Sequence, residues 1–352
     1  MPSIIPYFRR TGALSAALAL LAAAACTDRS DITSPGARPI GPEGASLSRS
    51  PELNDANGRH IMHTREWFAN DANGNASRLR TTSTGIFYHG GPVLQSGTKV
   101  VAVYWAANPI FVGGPPPNTY NTTDPSADQS LVGFFLNHLG GSKYFNINSS
   151  YTDGSGAHIV NSVTYTGYWA NASNAPGGTT SISDAQMVAM LQNGFNSGAL
   201  AYDKSTLYAI FTSGQVNLGG GFGTQYCAYH THATVTINGV SQTVLYAAMP
   251  YNYAYPSACT SGYGAANGSA DPGADYEVNT LAHETEETTT DMLGTAWYDN
   301  RGYENADKCA WTWGTTYASA SGGVANMNLG GKDFLVQQNW VNAGRGGCAL
   351  SY

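Results

Sequence analysis

Lys99–Ala106 reads KVVAVYWA and Ser205–Thr212 reads STLYAIFT. Both runs are β-branched and aromatic with almost unbroken apolar character, the pattern of buried strands. Two amphipathic helices fit between them. One, over 127–139, sets Leu131, Val132, Phe135, Leu136 and Leu139 at helical spacing; the other, over 184–195, has Ser183 as N-cap and Met187, Val188, Met190 and Leu191 on its inner face. Downstream, 228–238 and 240–249 read as a hairpin across Asn238-Gly239, and a further helix is expected over 275–292. Strands interleaved with helices, without an internal repeat, predict an α/β or α+β domain: a single mixed β-sheet flanked by helices.

The last of those helices carries the chemistry. Residues 283–291 read HETEETTTD, and helical winding puts His283, Glu287 and Asp291 on one face, with a drift of about 80°. Glu284 falls on the flank of that face. A helix bearing His-Glu-x-x-ligand is the device of zinc hydrolases: the first and fifth residues bind metal and the second is general base for the attacking water. The fifth residue here is Glu287 in place of His. Asp271, Asp275, Glu277, Glu284, Glu286, Glu287, Asp291 and Asp299 all lie between Lys204 and Arg301, an interval without Lys or Arg. Protons or a bound cation must compensate such a set if it is buried.

Several residues are open as the third ligand. Asp291 lies one turn along, Glu304 and Asp307 follow in GYENADKC, and His230 and His232 of CAYHTH share one side of a strand. Zinc is the expected ion because histidine is rare in calcium sites; calcium in an oxygen-rich structural site is the alternative. The bland reading is an acidic helix with an incidental histidine. His89 in YHGGPV has no GxSxG partner, which argues against a serine esterase. Gly219, Gly220, Gly221 and Gly223 lack the Lys-Ser/Thr of a phosphate loop. Tyr246, Tyr251, Tyr253 and Tyr255 read as loop packing before they read as a groove for sugar or peptide.

Arg9 and Arg10 precede an apolar run ending at Cys26. Residues 1–26 read as an export signal with Cys26 as lipid anchor, in the manner of a bacterial lipoprotein, although Ala23 stands where Leu would be preferred. The expected location is the bacterial cell envelope or the outside, with membrane contact only through the lipid. Residues 27–83 are rich in Ser, Pro, Gly, Asn and Asp and read as a tether in which His60, Met62 and Trp67 form at most a short docked segment; 84–352 is the domain. Cys227, Cys259, Cys309 and Cys348 form an even set without CxxC spacing. Pairing Cys227 with Cys259 and Cys309 with Cys348 closes local loops and predicts two disulfides. The net charge of −7, with only 11% charged residues, argues against a nucleic-acid partner.

YHGGPV (88–93), LYAIFTSGQV (207–216), CAYH (227–230) and GGKDFLVQQNWVNAGRGGC (330–348) together resemble the EXORDIUM or phosphate-induced-protein family over most of residues 85–352. Its plant members look like secreted, wall-associated growth proteins, and Cys227, His230, Cys309 and Cys348 sit where the family's features would. The chain departs from the plant pattern in carrying His283, Glu284 and Glu287 where those members have small apolar residues. That departure weakens any transfer of a growth function and suggests a bacterial branch with a metal site, similar to zincin-type hydrolases in local motif only. Two functions are therefore expected in turn. The first is an exported zinc-dependent hydrolase of peptide bonds with Glu284 as base; the alternative is a non-catalytic envelope protein that binds wall polysaccharide or peptide around a structural ion.

Overall fold

The computed structural model describes residues 58–70, 85–177, 180–214 and 216–352. The expected export signal, Cys26 and most of the expected tether lie outside the described residues. The elements, in chain order, are β1 (His60–His63), α1 (Arg65–Asn70), β2 (Phe87–Tyr88), β3 (Thr98–Trp105), β4 (Thr119–Asn121) and α2 (Leu131–Leu139). They are followed by β5 (Val163–Asn171), α3 (Asp184–Ser197), β6 (Thr206–Thr212), β7 (Tyr226–Ile237), β8 (Val240–Met249), α4 (Pro256–Cys259), α5 (Pro272–Thr290) and β9 (Trp297–Tyr298). Short two-stranded ribbons complete the C-terminal part.

Seven strands make one mixed sheet in the order β1-β7-β8-β6-β3-β5-β4. β3, β5, β6 and β8 run parallel, while β7, β1 and β4 pair antiparallel with their neighbours. Alternate residues of each strand serve opposite faces. Val100, Ala102 and Tyr104 of β3 join Ala209, Phe211 and Ala247 under α2 and α5. Val101, Val103 and Trp105 join Tyr208, Ile210, Tyr246 and Ala248 under α3. The central strands are covered on both sides, which is why the two quoted runs show no polar alternation.

Local chemistry sets the ends of the elements. The hairpin turns at Asn238 and Gly239, both at positive φ (50° and 79°), the geometry of a type I′ turn. Ser183 caps α3 in a reciprocal box with Gln186. α2 starts at Leu131, later than the sequence suggests, because the carboxylate of Asp128 accepts the hydroxyls of Tyr104 and Tyr165 and the Ser130 N–H, and Ser130 then caps the helix. α5 starts earlier than expected: Asp271 Oδ1 accepts the Ala274 N–H at 3.1 Å and Pro272 occupies the first turn.

Part of the stretch read as a tether belongs to the sheet. Residues 58–70 supply β1, which lies along β7 with His60 opposite His230 and Ile61 opposite Tyr229, and α1, whose Phe68 packs with Met62, Cys227 and Cys259. Both expected disulfides form: Cys227–Cys259 ties β7 to α4, and Cys309–Cys348 ties the segment after β9 to the C-terminus. No helix among the described residues is long and apolar enough to cross a membrane.

α5 is the unusual element. It is polar along most of its length, yet from Gly273 to Thr290 every residue except Tyr276 is buried. A helix of this composition ordinarily faces water on at least one side. Its carboxylates must therefore be hydrogen-bonded, protonated or paired with cations. Glu277 takes the backbone N–H of Asn252 at 3.2 Å, and burial pushes its pKa up to about 8. A carboxyl raised in the folded state stabilises the fold below its unfolded pKa of 4.5 and loses that contribution as pH rises toward the folded value. We expect the melting temperature to fall by several degrees between pH 5 and pH 8 from this group, and Glu277→Gln to flatten that slope. Thermal unfolding followed across that range is the check.

Candidate metal centre

His283, Glu284 and Glu287 project from the middle of α5 toward two other segments: β7, which brings His230, and the stretch after β9, which brings Glu304 and Asp307. β1 closes the edge with His60. His283 Nε2 lies 3.0 Å from Glu287 Oε1 and 3.5 Å from Asp307 Oδ1. His230 Nδ1 lies 3.2 Å from Glu284 Oε2 and 3.6 Å from Glu287 Oε2, while its Nε2 lies 3.7 Å from Glu304 Oε1. His60 Nδ1 is 2.7 Å from Glu304 Oε2, and its ring stacks on His230 at 4.8 Å. Three groups of ligand-type atoms result, each spanning no more than 4.8 Å: His283–Glu287–Asp307, His230–Glu284–Glu287 and His60–His230–Glu304.

The centre is enclosed and rich in carboxyl groups. Its carboxylates and His230 and His283 are at most 5% exposed, and five cavities on the described surface are lined by none of the seven residues. Burial pushes the pKa of Glu284 and Glu304 well up and, with Asp307 adding repulsion, that of Glu287 to about 7. Burial opposes charge on His283, but the Glu287 and Asp307 carboxylates outweigh it and hold that histidine well above the usual imidazole value. Burial, then neighbouring His60 and His283, press His230 well below it. Burial thus favours protons on Glu284, Glu287 and Glu304, and a cation among them would take the protons' place. Five buried polar atoms here have no hydrogen-bond partner: His230 Nε2, His283 Nε2, Glu284 Oε1, Glu304 Oε1 and Asp307 Oδ1. Native interiors rarely leave so many together, and an ion is one of the standard explanations.

Among the residues open as third ligand, Asp307 joins His283 and Glu287. Glu304 turns to the histidines His60 and His230. Asp291 joins no group: it caps the end of α5 and gives Oδ1 to the N–H groups of Thr295 and Ala296 at 2.6 and 2.7 Å. His232 also stands apart and borders a surface cavity with Arg59 and Asp184. Sequence reasoning placed His60 in a short docked segment with Met62 and Trp67 and gave it no chemistry. It also passed over Gln337, whose Nε2 donates to His283 Nδ1 at 2.8 Å and to the Ala306 carbonyl at 3.0 Å.

Residues 137–339 match the family model described as the phosphate-induced protein 1 conserved region, more than half of the chain. The chain belongs to this family. No curated protein and no solved structure matches it. In this member of the phosphate-induced protein 1 family, the matched region contains His230, His283, Glu284, Glu287, Glu304 and Asp307. His60 lies outside that region, well before its start.

Both disulfides brace segments that carry these side chains. Cys227 stands three residues before His230 on β7, and Cys309 stands two residues after Asp307. Opening the Cys309–Cys348 bridge with Cys309→Ser and Cys348→Ser together should cost about 4 kcal/mol from loop entropy. It should also loosen the Glu304–Asp307 segment. Chemical denaturation would measure the first effect, and an equal midpoint for variant and wild type would contradict it.

Proposed function

We propose that this protein is an exported, lipid-anchored, metal-dependent hydrolase that cleaves peptide bonds, with zinc as the expected ion. The observation that carries this reading is the position of Glu284. It stands next to His283, outside the His283–Glu287–Asp307 group, and its Oε1 has no partner. Three protein ligands beside a carboxylate with one unpartnered oxygen is the composition of a hydrolytic zinc site.

A divalent cation bound there would supply Lewis-acid polarisation of the scissile carbonyl. His283 would hold it through Nε2, Glu287 through Oε1 and Asp307 through Oδ1. Gln337 bears on the first ligand: its amide Nε2 lies 2.8 Å from His283 Nδ1, while His283 Nε2 stands 3.0 Å from Glu287 Oε1 without a hydrogen bond to it. With Nε2 on a cation, the ring proton would sit on Nδ1. A half-turn of the Gln337 amide then presents Oε1, which has no other partner, as acceptor. Glu284 is the base that takes a proton from the attacking water. His230 Nδ1 steadies its other oxygen, and the raised proton affinity that burial confers suits a group that must accept a proton near neutral pH.

Replacing Glu284 by Gln keeps the shape and removes the base. We expect at least a ~100-fold loss of turnover on a mixed peptide substrate with metal content unchanged. Retained turnover would remove Glu284 from the mechanism, and a metal-loaded wild type that cleaves nothing would sink the hydrolase. Any shortened chain used for this should begin before residue 58, since β1 and His60 belong to the fold.

The burial of the whole cluster favours a second reading: a non-catalytic envelope protein that binds polysaccharide or peptide and holds a structural ion. The two differ in access. A hydrolase exchanges its ion with a chelator while folded, whereas a structural site releases it only on unfolding.

A further inference from the structure

We propose that His60, His230 and Glu304 form a second cation site, selective for zinc or a similar divalent transition ion, beside the His283–Glu287–Asp307 group. This goes beyond the hydrolase reading and does not need it. One ligand atom each of His60, His230 and Glu304 lies within 4.8 Å of the other two, with His60 Nδ1 2.7 Å from Glu304 Oε2, and all three residues are buried. His230 Nε2 and Glu304 Oε1 are wholly enclosed without a hydrogen-bond partner, and they face each other across 3.7 Å. Two imidazoles and one carboxylate form a donor set that zinc takes readily and calcium does not.

Charge makes the same argument independently. Glu284, Glu287, Glu304 and Asp307 bring four carboxyl groups together, and among the described residues they lie against His60, His230 and His283. One divalent cation balances two carboxylates, so the other two need protons, a charged histidine or a second cation. Glu287 stays with the first site: its Oε1 faces His283 Nε2 at 3.0 Å, while its Oε2 lies 3.6 Å from His230 Nδ1, the ring nitrogen opposite the one that faces Glu304.

Gly294 supports the placement of His60. Its φ is +68°, and a Cβ there would stand 2.1 Å from His60 Nε2. The missing side chain at this position therefore leaves room for the ring, and any other residue there would displace His60.

Elemental analysis of the full-length protein after loading with zinc alone and removal of excess tests the proposal. Two equivalents in the wild type, one in His60→Ala and one in His283→Ala are expected. One equivalent in the wild type, kept in His60→Ala and lost in His283→Ala, would overturn the second site and leave the hydrolase reading standing. One equivalent with the opposite pattern would confirm the second site and deprive the hydrolase of its ion. No bound zinc would overturn both. Should the variants fail to fold, anomalous scattering at the zinc edge from wild-type crystals decides: a peak between His60, His230 and Glu304 is expected, and the absence of a peak there overturns the proposal.

Discussion

The burial of carboxylates on α5 is the constraint from which the rest of the structure follows. A sheet face that is otherwise covered by Leu, Val and Phe side chains here accepts a helix rich in Glu and Thr, and a charged carboxylate in such a place is among the most expensive groups a fold can hold. The α5 carboxylates meet different partners. Asp275 meets Asn267, Glu277 the Asn252 backbone and Glu286 the Asn148 amide. Glu284 and Glu287 meet histidines. Glu277 and Glu286 meet neutral donors through one oxygen each, their Oε1 atoms staying without a partner, and Glu284 and Glu287 sit where a cation is the natural counterpart.

This division explains the arrangement of the surrounding chain. β7 runs antiparallel at the edge of the parallel core and carries His230 over α5. β1 extends that edge by one short strand and adds His60. The 304–309 segment crosses the other side with Glu304 and Asp307. Two disulfides fix β7 and that segment near the ligands. Position is thereby set by covalent and main-chain links, while the side-chain ends keep unused lone pairs.

The fold was largely legible in the chain. Two β-branched runs, one Asn-Gly turn, the Ser183 cap and an even set of cysteines each correspond to a feature of the structure, because each rests on local propensity or short-range closure. The α2 boundary was less legible, since Asp128 is drawn to Tyr104 and Tyr165, partners distant in sequence. Of the candidate site, the HETEE run identified the helix and Glu304 and Asp307 were in view. Which of them would stand by His283 was not readable, since spacing along a chain says nothing about where a loop folds back. His60 was hidden for the same reason: a four-residue edge strand gains its identity from pairing with β7, not from its own composition.

His60 and Glu304 stand 244 residues apart in the chain, yet they share a hydrogen bond. Almost the entire domain must be made and its sheet closed at the edge before those two meet. Contacts of such long range form late, after the slower non-local pairings. A site that needs both residues thus cannot gather an ion until the chain is nearly complete. It would take an ion from wherever folding ends, and for donor sets of this kind surroundings and geometry, more than raw affinity, determine which ion that is.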